Sequence, residues 1–156
     1  MKYTDIIIDN GSERFIERIM KENLWSRDYT LRVIEEYKKF VYLATIQNVA
    51  PSYEVDQIWH THLLFTMDYK KMCQEVLKVE LHHKPTDKTE VKTIGKDQYQ
   101  ETKKLYTKVF GYHPPSDIWT NWKDSQYTHI DLKTHWVIPV GDWKALFKLL
   151  IKQIKN

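Results

Sequence analysis

Val55-Asp56-Gln57-Ile58-Trp59-His60-Thr61-His62-Leu63-Leu64 is the stretch on which the reading of this chain turns. Val55, Ile58, Trp59, His62 and Leu63 stand at i, i+3, i+4, i+7 and i+8. That spacing gathers side chains on one face of an α-helix. Asp56 and His60, four apart, share a neighbouring face. The two histidines of the motif therefore point different ways: His62 belongs to the inward stripe, and His60 stands outside it beside Asp56. A single helical segment cannot aim both at one metal ion, although a helix that ends near His60 could.

The same period recurs on either side. Ser12 is placed to cap a first helix with Phe15, Ile16, Ile19, Met20 and Leu24 facing inward. A longer helix follows Ser26-Arg27-Asp28, with Val33, Tyr37, Phe40, Val41 and Ala44 on one face, and is broken between Asn48 and Pro51. Ser52 caps the helix of the histidine motif. Thr66 or Asp68 restarts the chain as a fourth helix running to about Lys78. Residues 82–96, with Pro85, Thr86, Asp87 and Gly95 among charges, read as a loop. Asp97 opens a fifth helix with Tyr99, Thr102, Tyr106, Val109 and Phe110 aligned, ended by Gly111 and Pro114-Pro115. Residues 116–141 form an irregular aromatic-rich segment, with Trp136 to Val140 as a short extended piece. Asp142 opens a last helix whose stripe is Trp143, Leu146, Phe147, Leu150, Ile151 and Ile154. The expected fold is mainly all-α, a compact bundle of five to six helices forming a single domain over residues 1–156.

Composition agrees with that class. The 156 residues suffice for one hydrophobic core, and 42% hydrophobic with 29% charged content is ordinary for a globular protein. Four glycines and five prolines are too few for a sandwich of many tight turns. One cysteine cannot close an internal disulfide, so no oxidising compartment is needed. The N-terminus carries acids where a secretory signal needs an apolar run, and no stretch reaches the roughly 20 apolar residues of a membrane span. A cytoplasmic protein without a membrane partner is expected. The net charge of +3 is small. Lys144, Lys148, Lys152 and Lys155 line the outer face of the last helix, but this falls short of the strongly basic footprint of a nucleic-acid partner. Neither a Gly-rich phosphate loop nor a Gly-x-Ser-x-Gly elbow is present, which excludes the corresponding nucleotide and serine-hydrolase chemistries.

Four of the seven histidines and the only cysteine fall between His60 and His83. Asp56 and His60 form a carboxylate–imidazole pair in which the acid either ligates a metal beside His60 or fixes its tautomer. The structural counterpart is an early-helix acid favoured by the helix dipole. His62 fits a core histidine bonded to a backbone carbonyl. Cys73 shares a face with Tyr69, Met72, Val76 and Leu77, where cysteine behaves as a small hydrophobe. His82-His83, at a helix end before a Pro-containing loop, adds imidazoles that a transition metal favours. The metal set is thus Asp56, His60 and His83, with His62, Cys73 and His82 as further candidates. The spacing is not that of a zinc finger or a His-Glu-x-x-His protease.

The block from Pro51 to Leu64, followed by Tyr69, Cys73 and Leu81-His82-His83-Lys84-Pro85, resembles the glycine-rich domain-containing protein-like family. That family is marked by Val-Asp-x-x-Trp-His-x-His-x-Leu followed by a Tyr and a Cys. Its short bacterial members look similar around Tyr106 to Phe110 and at Pro115-Ser116-Asp117-Ile118-Trp119 as well. The resemblance covers about residues 30–120. Longer plant members, linked to development and stress responses, carry glycine-rich regions that this chain lacks, and commonly lack the second histidine pair. Lys78 stands where the family often has glycine.

Two functions from different classes follow. One is a small metal-binding protein holding zinc or iron and suited to hydrolysis. The other is a non-catalytic protein-interaction module, in which the Trp-His-x-His block is a structural lock of the helical core. Trp119, Trp122, Trp136 and Trp143 add a second aromatic part to that core, or a partner surface where exposed.

Overall fold

Three serines open three of the helices. Ser12, Ser26 and Ser52 each hold extended backbone angles, and their side chains accept from the N–H of Phe15, Tyr29 and Val55 respectively. Each is followed by an acid in the first helical turn, where the helix dipole favours negative charge. In the computed structural model these caps start α1 (Glu13–Asn23), α2 (Arg27–Ala44) and α3 (Tyr53–Leu64). Phe65 ends α3 and turns the chain directly into α4 (Thr66–Lys71), which widens into a π-helical turn at Met72–Leu77. α5 spans Ile94–Phe110. The structure describes residues 2–8, 12–83 and 94–120, with the backbone only at 94 and 95. Among the described residues the fold is all-α, without a strand.

Three of the helical segments end by a common device, whereas α2 and α3 do not. Leu24 after α1, Lys78 after the π turn and Gly111 after α5 all take left-handed backbone angles, with φ of 58°, 59° and 80°. Glycine adopts that region without steric cost; leucine and lysine do so under strain. The turn at Leu24 corrects the inward assignment of that residue. Its periodicity continues the α1 stripe, but the left-handed cap swings the side chain out, and it is 65% exposed.

α2 runs through the middle and packs against α1, α3 and α5. Val33, Tyr37, Phe40, Val41 and Leu43 join Phe15, Ile16 and Ile19 of α1, Val55 and Ile58 of α3, and Tyr99 and Tyr106 of α5 in one core. Ile6 and Ile8, from the segment after a short 3-10 turn at Tyr3–Asp5, are buried in it too. So is Trp119, carried by the turn that follows Pro115. Its indole N–H donates to the buried Glu36 carboxylate at 2.9 Å. The Tyr106 hydroxyl and the Lys39 ammonium donate to the same group at 3.2 and 2.7 Å. Burial alone would depress the Lys39 ammonium, but its bonds to Glu36, Tyr106 and Tyr112 hold it above its ordinary value. Glu36 thus ties α2, α5 and the Pro115–Trp119 turn together.

Two other expectations need adjusting. α5 begins at Ile94, not after Asp97, so Asp97 lies inside the first turn as a dipole-complementing acid and the end of the expected 82–96 loop is helical; the part of that loop at 84–93 lies outside the described residues. Val109 is exposed because the buried positions of α5 run Tyr99, Thr102, Tyr106. The last helix from Asp142, its lysine face, the extended piece at Trp136 to Val140, and Trp122, Trp136 and Trp143 lie outside the described residues. No helix among the described residues is long and apolar enough to cross a membrane.

Candidate metal centre

α3 divides its motif between two environments. On the inward face His62 is fully buried, and its Nδ1 pairs with the Tyr37 hydroxyl at 3.0 Å. Its ring meets Phe15, Tyr37 and Tyr69 edge-on. The Nδ1 partner is thus a tyrosine hydroxyl of α2. Burial pushes the Tyr37 phenol well above its usual value, so it remains an O–H group at that contact. Trp59, 8% exposed, lies beside Phe40.

On the outward face Asp56 and His60 sit one turn apart, with side chains 27% and 49% exposed. Their separation is set by the helix itself: His60 Nε2 lies 3.6 Å from Asp56 Oδ2. His83 arrives from elsewhere in the chain. Its Nε2 is 3.0 Å from His60 Nε2 and 3.1 Å from Asp56 Oδ1. The three residues offer ligand atoms that all lie within 4.8 Å of one another.

The segment that brings His83 here is held by a relay of hydrogen bonds. Lys78 turns the chain after the π turn. The Trp59 indole N–H donates to the Tyr69 hydroxyl at 3.1 Å, and that hydroxyl donates to the Leu81 carbonyl at 2.6 Å. Burial raises Tyr69 to about 12, so the phenol keeps the proton this bond requires. The His83 ring then stands edge-on to Trp59, with centroids 4.7 Å apart. Periodicity places Tyr69 only on the Cys73 stripe. Its contact with Leu81 joins positions twelve apart across a helix end, which no periodicity can report.

Two imidazole nitrogens and a carboxylate converging on one point are three electron-pair donors facing one another. Only protons or a cation can sit between them. In a tetrahedral site with bonds of 2.0–2.1 Å to nitrogen and oxygen, neighbouring ligand atoms are about 3.3 Å apart. His83 Nε2 stands near that spacing from His60 Nε2 and from Asp56 Oδ1, at 3.0 and 3.1 Å, while the 3.6 Å from His60 is to the other carboxylate oxygen, Oδ2. The donor set, two histidines and one carboxylate, is of the type zinc and iron accept. These residues could hold a metal ion.

The further candidates are not brought to this point. His62 is in the core on the opposite side of the motif. Cys73 is buried on the π turn, packed as a small hydrophobe in the core. His82 projects outward, its side chain 83% exposed, with Glu80 at 3.5 Å.

The chain belongs to the UCP032817-like family, whose model matches residues 12–107. That span holds α1 to α4, the π turn, all three converging residues and most of α5. No curated protein and no solved structure matches the chain.

Proposed function

We propose that this protein binds one transition-metal ion, zinc or iron, through Asp56 Oδ, His60 Nε2 and His83 Nε2. The observation that carries the reading is the convergence of those three atoms from two separate segments. Three protein ligands leave a coordination position for water, the arrangement of catalytic rather than structural zinc sites. A metal held by Asp56, His60 and His83 would supply Lewis-acid activation of water and of a carbonyl or phosphoryl oxygen. Hydrolysis is the chemistry this opens, and the half-exposed His60 leaves the site accessible to a substrate. Because protons compete with metal for imidazole nitrogens, uptake weakens as the solution is acidified. The likeness of the Trp-His-x-His block to the glycine-rich domain-containing protein-like family belongs to the same proposal. A cytoplasmic setting does too.

Elemental analysis of protein purified without chelator tests the reading. Near-stoichiometric zinc or iron is expected, lost in the His60→Ala, His83→Ala double variant while the helical circular dichroism is kept. A second reading, an interaction module locked by the motif, draws on the burial of Trp59 and His62. It requires that Asp56, His60 and His83 take up no metal.

A further inference from the structure

We propose that Tyr69 is the positioning residue of this centre: its hydroxyl, held by the Trp59 indole, clamps the Leu81 carbonyl and so fixes where His83 meets Asp56 and His60. The inference rests on the metal reading above. Asp56 and His60 need no such help, because one helical turn sets their separation. His83 does. Residues 80–83 have no regular secondary structure, so no backbone ladder determines where its ring falls.

The Tyr69 hydroxyl is used in both directions. It accepts from Trp59 Nε1–H at 3.1 Å, which leaves its own proton to point at the Leu81 oxygen 2.6 Å away. Leu81 is two residues from His83, close enough for the clamp to govern the ring. Tyr69 is itself anchored, its ring edge-on to the buried His62 at 5.2 Å. The inward half of the motif, Trp59 and His62, therefore holds Tyr69, and Tyr69 holds the segment that carries the third ligand. The buried and exposed halves of Trp-His-x-His thus act together, the first fixing the geometry that the second uses.

Tyr69→Phe keeps the ring and deletes only the hydroxyl. The test is a cobalt(II) titration of the whole chain, wild type and Tyr69→Phe, followed by visible absorption. It is paired with the proton resonances of the His83 ring in metal-free protein. Wild type should bind one equivalent with the intense bands of low-coordinate cobalt. Tyr69→Phe should bind about ten-fold more weakly, as loss of an outer-shell partner typically does. Its spectrum should fade toward the weak six-coordinate form as water replaces His83. A purely structural role would lower the melting temperature and leave the spectrum of the cobalt-saturated protein unchanged, which overturns the proposal. Should wild type take up no cobalt, the metal reading fails, and the clamp is judged on the His83 resonances alone. Loss of the Trp59 ring-current shift in Tyr69→Phe supports the clamp, and unchanged resonances overturn it.

Discussion

At the residue scale, the motif shows how two histidines only two positions apart acquire unrelated lives. His62 is enclosed by aromatic rings and paired with Tyr37, while His60 faces outward on the Asp56 side of the same helix. That division was legible in the sequence, since a helix separates positions two apart by more than half a turn. The arrival of His83 was expected from composition, but its mechanism depends on Tyr69 reaching Leu81, a tertiary contact with no local signal. Lys78 makes a sharper residue-level point. It occupies a left-handed helix cap, with φ 59° and ψ 20°, at a place where glycine would be unstrained. Relief of the Cβ clash, about 1–2 kcal/mol, exceeds the entropy that glycine loses on folding. Lys78→Gly should therefore raise the free energy of unfolding by roughly 0.5–1 kcal/mol in a urea titration. A destabilised variant would show that the lysine side chain contributes more than its backbone strain costs.

At the element scale, the serine caps and polar breaks allowed α1, α2 and α3 to be placed from sequence, because capping is local chemistry. The register of α5 was less legible: Asp97 has the look of a cap, yet the helix starts a turn earlier at Ile94. Ile6 and Ile8 were not legible as core because so short a segment has no period to read. α3 is the element on which the site depends. Ser52 caps it from a buried position, and Asp56 lies in its first turn, with its N–H bonded to the Ser52 carbonyl at 2.9 Å. Ser52→Ala should cost about 1 kcal/mol of stability and also weaken metal uptake, as fraying reaches Asp56. Ser12→Ala removes the equivalent cap of α1, far in sequence from the site. It should cost a similar amount and leave metal uptake alone. Equal metal affinities in the two variants would mean that the first turn of α3 does not hold Asp56 in place.

At the scale of the whole molecule, the abundance of tyrosine becomes a statement about alkaline stability. Burial raises Tyr29 and Tyr69 to about 12, and pushes Tyr37, Tyr99 and Tyr106 upward as well. In the unfolded chain each ionises near about 10. Above that pH the unfolded state has released protons that the native state still binds, so stability falls as pH rises. The contribution of these groups is complete below about 10 and is lost as pH climbs through 12 and beyond. Absorbance at 295 nm should show the exposed tyrosines ionising first, the half-buried Tyr29 and Tyr69 later, and the buried Tyr37, Tyr99 and Tyr106 only together with loss of helical dichroism. A single ionisation step near 10 with the fold intact would contradict the burial of Tyr37, Tyr99 and Tyr106. The all-α architecture itself was legible from periodicity. The tie from Glu36 to Trp119 was not, because it joins α2 to a turn some eighty positions away through polar atoms that hydrophobic patterns ignore.

The central claim is that Asp56, His60 and His83 hold a metal ion, and metal content measures it most directly. Protein purified without chelator, or exposed to one equivalent of zinc after chelator treatment, should carry close to one ion per chain. The His60→Ala, His83→Ala double variant should carry none, with its helical circular dichroism unchanged. Wild-type protein that holds no metal as purified, and takes up none on titration with zinc or iron(II), would contradict the account.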